Sequence, residues 1–150
     1  MSTEQNKAIF QRLIDASNTG DPSQLRDVVY DVVAEDCVIH TPGEPDVHGP
    51  DGYMESLSLF HEAFPDIQIE ILNQIAEDDW VTIHYLFRGT HEQELAGIPP
   101  TGRQVTIEAV SLSRVRNGKI VEEHSFVDNM YVFRQLGVEM EPQAGAQGAS

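Results

Sequence analysis

The 150 residues carry 25 acidic side chains against 9 Lys and Arg, a formal charge of −16. That balance excludes a nucleic-acid backbone or an anionic membrane surface as partner, since both demand clustered positive charge. With 40% hydrophobic and 23% charged residues the composition is globular, long enough for one domain core, and free of any apolar run that could cross a bilayer.

The first segment, residues 3–19, predicts an amphipathic helix. Ile9, Phe10, Leu13, Ile14 and Ala16 recur at helical spacing, and Gly20 stops the run. Asp21-Pro22 is a cap followed by proline at the first helical position, opening a second helix with Leu25, Val28, Val29, Val32 and Val33 on one side. EDCVIHTPG is a short strand closed by Pro42-Gly43, and its Cys37, the only cysteine, is a small core residue with no partner for a disulfide. After the loop EPDVHGPDG, a third helix runs from near Pro50 to about Phe64, with Tyr53, Leu57, Phe60 and Phe64 on one stripe and Pro65 behind it.

The period then changes from helical to two. Ile67, Ile69 and Ile71 alternate with polar residues, and WVTIHYLFRGTH sets Val81, Ile83, Tyr85 and Phe87 against Thr82, His84, Leu86 and Arg88. QVTIEAVSLSRV and KIVEEHSFVDNMYVF follow, joined by an Asn117-Gly118 hairpin signal. Between the strands, HEQELAGIPPTGRQV is stiffened by Pro99-Pro100 and belongs to neither helix nor central strand. Leu95 and Ile98 are its apolar contacts, expected at the rim of a hollow. Residues 129–137 predict a short helix, and EMEPQAGAQGAS a flexible tail, so the domain is expected over 1–137 with a tail over 138–150. Helices before a meandering sheet mean an α+β fold. MSTEQNKAIF has no apolar leader segment, so a cytoplasmic location is expected.

Three stretches in order carry a family resemblance. GPDGYMESLSLFHEAFPDIQIEI, RGTHEQELAGIPPTGRQV and NGKIVEEHSFVDNMYVFRQLG together resemble the SnoaL-like polyketide cyclases across roughly residues 5–137. The resemblance implies a nuclear-transport-factor-2-like (NTF2-like) cone, with three N-terminal helices packed on a curved, mainly antiparallel sheet. It also implies ring closure by intramolecular aldol condensation without cofactor or metal. Aligned on the family's motifs, the cyclases' acid/base Asp falls at Ser125 and their partner His at Ser111, so the usual pair is replaced here. A His that typically precedes the acid/base position is represented by Glu123, with His124 beside it.

The candidate chemistry is therefore proton transfer by a carboxylate, Asp128 first and Glu123 second, on an apolar ketone-bearing or polycyclic small molecule. Asp128 sits among apolar residues that would raise its pKa, or else caps the turn at Asn129. In a regular strand Glu123, Ser125 and Val127 share one face, and His124, Phe126 and Asp128 the other. His40 and His124 are candidates for polarising an oxygen. Ser111, Ser125, Tyr85, Tyr53, Phe60, Phe64, Ile98 and His91 are candidates for holding the substrate, His91 also for ordering its loop by hydrogen bonding. No HExxH or paired-cysteine pattern announces a metal. A hydroxylation-assisting or hydrolytic variant and a binding protein without turnover remain alternatives, and a homodimer formed through one sheet face is the expected assembly.

Overall fold

The computed structural model describes residues 2–138. Helix α1 (Thr3–Asn18) begins on a reciprocal cap: the Gln5 N–H donates to Ser2 Oγ and the Ser2 N–H to Gln5 Oε1. Helix α2 (Pro22–Val32) starts from Asp21, whose carboxylate accepts from the Ser23 N–H. These bonds hold the Asp21 carboxyl below the usual carboxylate range. Strand β1 (Val33–His40) follows without a break, so Val33 belongs to the strand and not to the helix face on which its spacing places it. Its φ of −103° and ψ of 126° are extended, a geometry that suits a β-branched side chain.

A two-residue strand β2 (Val47–His48) forms inside the expected loop and pairs antiparallel with β1. Helix α3 (Gly49–Ala63) has Pro50 in its first turn. Strands β3 (Gln68–Glu77), β4 (Trp80–Thr90), β5 (Gln104–Arg116) and β6 (Lys119–Val127) then meander antiparallel. A last helix, α4 (Asn129–Gln135), makes four helices in place of the three that the family resemblance implies. The single sheet runs β2-β1-β6-β5-β4-β3, with β1 and β6 its parallel pair. The tail expected to be flexible lies, from residue 139 on, outside the described residues. Among the described residues no helix is long and apolar enough to cross a membrane.

The helices cover one face of the sheet. Val81, Ile83 and Phe87 of β4, with Val105, Ile107, Ala109 and Val115 of β5, are buried there, as their alternation requires. The core divides into two clusters. One gathers α1, α2, β1 and the start of α3; the other gathers Phe64, Phe87, Ile107, Val132 and Leu136. Tyr85 packs against both. Burying Phe64 requires Gly89: a Cβ there would stand 2.8 Å from Phe64 Cβ.

The loop after β4 is pinned by His91. Its ring is fully buried, its Nδ1 accepts the Thr101 N–H at 3.2 Å, and its main chain pairs with Gly102 and Arg103. Further along, Leu95 and Ile98 exchange backbone hydrogen bonds of 3.1 and 2.8 Å around Ala96-Gly97, both at positive φ. The tight turn lays both side chains against the second cluster.

Candidate active site

The register of the sheet fixes which residues meet on the covered face. Directly paired residues point the same way, so one row holds Val81, Ser113 and Glu123, with Ile39 of β1 beside Glu123. The next row holds Ile83, Ser111 and Ser125, and the next Ile71, Tyr85, Ala109 and Val127. Glu123 and Ser125 therefore occupy successive inward positions of β6.

Glu123 is the carboxylate at the centre of this face. Tyr53 Oη donates to its Oε1 at 3.1 Å from α3, and Ser113 Oγ donates to the same oxygen at 3.2 Å from β5. The side chain keeps partial exposure, but protein surrounds it closely enough that desolvation pushes its carboxyl pKa up. The two hydrogen bonds and neighbouring His124 oppose that shift without cancelling it. The same environment acts on its neighbours. Burial, then the charge at Glu123, raises the Tyr53 and Tyr85 hydroxyls, so both remain protonated donors. Burial first and Glu123 second push the Cys37 thiol up to about 12, which makes it an inert core group.

Beside Glu123, Ser111 is buried and Ser125 half-buried. The nearby Ser125 hydroxyl partly offsets the rise in the Tyr85 pKa. Tyr85, Val127, Leu57 and Phe60 also retain partial exposure, although each packs against the core. Phe60 meets Phe87 edge-on at 5.7 Å, and Phe87 stacks with Tyr85 at 6.2 Å. A protonatable carboxyl thus lies beside hydroxyl donors and an apolar, aromatic wall. Two clefts lie elsewhere. One of about 370 Å³ is lined by Asn6, Asp78, Asp79 and Arg116, and one of about 290 Å³ by Leu25, Met54, Ser58 and His61. Neither includes Glu123.

The other candidates are placed as follows. Asp128 is exposed, and its Oδ1 accepts the Tyr131 N–H at 3.0 Å, capping α4. His40 and His124 lie on the opposite face of the sheet from Glu123, stacked on each other with ring centroids 4.7 Å apart. Tyr53, Tyr85, Ser111 and Ser125 gather around Glu123. Phe64 is fully buried beneath Gly89. Phe60 and Ile98 belong to the wall formed by the second cluster, and His91 is sealed behind its loop. Sequence reasoning missed Ser113, the second donor to Glu123. The signal was present, since Ser113 has the same strand parity as Ser111.

Residues 7–136 match the family described as SnoaL-like polyketide cyclase. The chain is 26% identical over 139 residues to the aklanonic acid methyl ester cyclase DnrD of Streptomyces peucetius, covering 91% of this chain and 92% of that one. It is 28% identical over 127 residues to the nogalonic acid methyl ester cyclase of Streptomyces nogalater, covering 83% and 92%. Among solved structures it resembles AclR, a hydroxylase candidate from Streptomyces galilaeus, with a TM-score of 0.79 and 26% identity over 99% of this chain and 90% of that one.

Proposed function

The chain belongs to the SnoaL-like polyketide cyclase family and is an enzyme of that type, and from that premise we propose that it closes a ring by proton transfer at Glu123. The ionised carboxylate removes a proton from carbon next to a carbonyl of a polyketide-derived ester. The resulting enolate attacks a second carbonyl of the same molecule, forming the carbon–carbon bond, and the proton returns to the new alkoxide. Tyr85 and Ser125 supply hydroxyl donors to the developing oxyanion, and Tyr53 and Ser113 hold the carboxylate. Leu57, Phe60 and Val127 suit an apolar polycyclic body.

The observation that carries this reading is the inward, desolvated Glu123. Where the family resemblance puts a catalytic Asp, this chain has Ser125, and Glu123 is the preceding inward residue, about 7 Å along the strand. The acid function has moved one inward step along β6. The test is Glu123→Gln assayed on aklanonic and nogalonic acid methyl esters, the compounds named for the relatives' reactions. Ring closure is expected to fall at least about a hundredfold with the fold intact. Unchanged turnover would overturn the role of Glu123.

One observation favours a second reading. Ser111 and Ser125 stand where the resemblance puts the cyclases' His and Asp, and AclR is among the similar structures. A hydroxylation-assisting enzyme would leave those esters unchanged and yield oxygenated product only with a reductant and dioxygen. We further propose a homodimer assembled through the uncovered sheet face, where Ile75, Phe126 and Val110 are exposed beside half-buried Leu86 and Leu112.

A further inference from the structure

The uncovered face of the sheet carries a second cluster of chemistry-bearing side chains, apart from the Glu123 site. His40 of β1 and His124 of β6 are register partners across the parallel pair, and Glu122, two residues before His124, shares its face of β6. One ligating atom of each of His40, Glu122 and His124 lies within 4.8 Å of the other two. Glu122 Oε1 is 3.2 Å from His124 Nε2, while its Oε2 faces Arg114 Nη1 at 3.9 Å. Behind His40, Asp46 Oδ1 lies 2.9 Å from Nδ1. All three potential ligands are partly exposed in the single chain, so an ion can reach them there.

We propose that His40, His124 and Glu122 bind a divalent first-row transition ion of the Zn²⁺ class. Two imidazoles and a carboxylate are the donor set such ions favour. In tetrahedral zinc geometry the donors stand about 3.3 Å apart, given bonds of roughly 2.0–2.2 Å. The Glu122–His124 edge already has that length, and rotation of the His40 ring brings in the third donor, leaving the fourth position to water. Asp46 has the place of the outer carboxylate that fixes a ligating imidazole: holding the proton on Nδ1 leaves Nε2 free for the ion. Glu122, steadied by Arg114, presents its other oxygen. The ion would clip β1 to β6 at the sheet's one parallel pairing and draw in the 41–46 loop through Asp46. It lies on the far side of the sheet from Glu123 and takes no part in the proton transfer there.

The experiment is a titration of the chelator-stripped full chain with Co²⁺, followed by its visible absorption, and with Zn²⁺ by calorimetry. Saturation at one ion per chain is expected, with the ring proton signals of His40 and His124 shifting in the wild-type protein and a rise in Tm. His124→Ala and His40→Ala should each weaken binding at least about a hundredfold, and Asp46→Asn by about 10–100-fold. His84→Ala should leave binding unchanged, because His84 lies on the same face but bonds Asn73 and Glu108. Absence of saturable binding would overturn the proposal. So would binding that survives His40→Ala and His124→Ala, or ring shifts confined to other histidines, and the last readout needs no variant to fold.

Discussion

In the proposed mechanism Glu123 couples ring closure to stability. Its carboxyl pKa is raised in the folded chain, so between its unfolded and folded values the native state holds more proton than the unfolded one. Stability is then greatest below the unfolded pKa and declines as pH rises through the folded one, by about 1.4 kcal/mol for each pH unit between the two. Glu123→Gln carries no charge to desolvate. It should therefore flatten that decline, with its Tm overtaking that of the wild type as pH rises and the advantage disappearing in acid, measured by thermal melts across pH. The same ionisation should place the acid limb of kcat/KM above the ordinary glutamate range. If Glu123→Gln gives a parallel Tm curve at every pH, the raised pKa is refuted. The parity of β6 was legible in the sequence, and it paired Glu123 with Ser125. The choice between Glu123 and Asp128 was not, because it rests on where the strand ends. The chain turns into α4 at Asp128, which exposes that carboxylate and uses it as a cap. His40 and His124 had the opposite difficulty: each was visible alone, but only the parallel pairing of β1 with β6 brings them together.

At the level of elements, periodicity identified every long segment, because each has one buried face and a clear stop. What it missed was short or transitional. β2 has two residues and exists through its pairing with Val38 and Ile39, a tertiary cause with no local pattern. The α2–β1 junction was blurred because valines serve the apolar stripe of a helix and the interior of a strand alike. The motif residues of the β4–β5 connection have structural causes that packing makes plain. Gly89→Ala should cost about 1–3 kcal/mol, since the new Cβ meets the fully buried Phe64. Chemical denaturation checks this, and a cost below about 0.5 kcal/mol would show that Phe64 yields easily. His91→Ala removes the acceptor for the Thr101 N–H and empties a buried ring site. It should speed hydrogen exchange and proteolysis within residues 92–103 while the strands stay protected, and uniform protection across the loop would contradict the role of His91 as its pin.

The whole molecule presents a sheet with two unlike faces. The inner one is closed by helices and carries the acid. The outer one displays Ile75 at 67%, Phe126 at 48% and Val110 at 36% exposure, on strands β3, β6 and β5. Register makes Val110 and Phe126 direct neighbours, with His84 on the other flank of Val110, and puts Ile75, Thr82, Leu112 and His124 in the adjoining row. Apolar side chains on β3, β5 and β6, interrupted on β4 by Thr82 and His84, support the proposed dimer: the formal charge of −16 keeps the protein in solution, while these side chains gain by leaving water. A second copy offers the same apolar side chains, and a two-fold axis near Val110 would bury the two sets against each other. Sedimentation velocity at micromolar concentration should therefore find a dimer. Val110→Glu places like charges near that axis and should shift the population to monomer. Because the outer face lies across the sheet from Glu123, the monomer is expected to keep its fold and a pH limb set by the same carboxyl. A wild-type protein that sediments as a monomer at these concentrations, or a Val110→Glu variant that remains dimeric, would remove the outer face from the assembly.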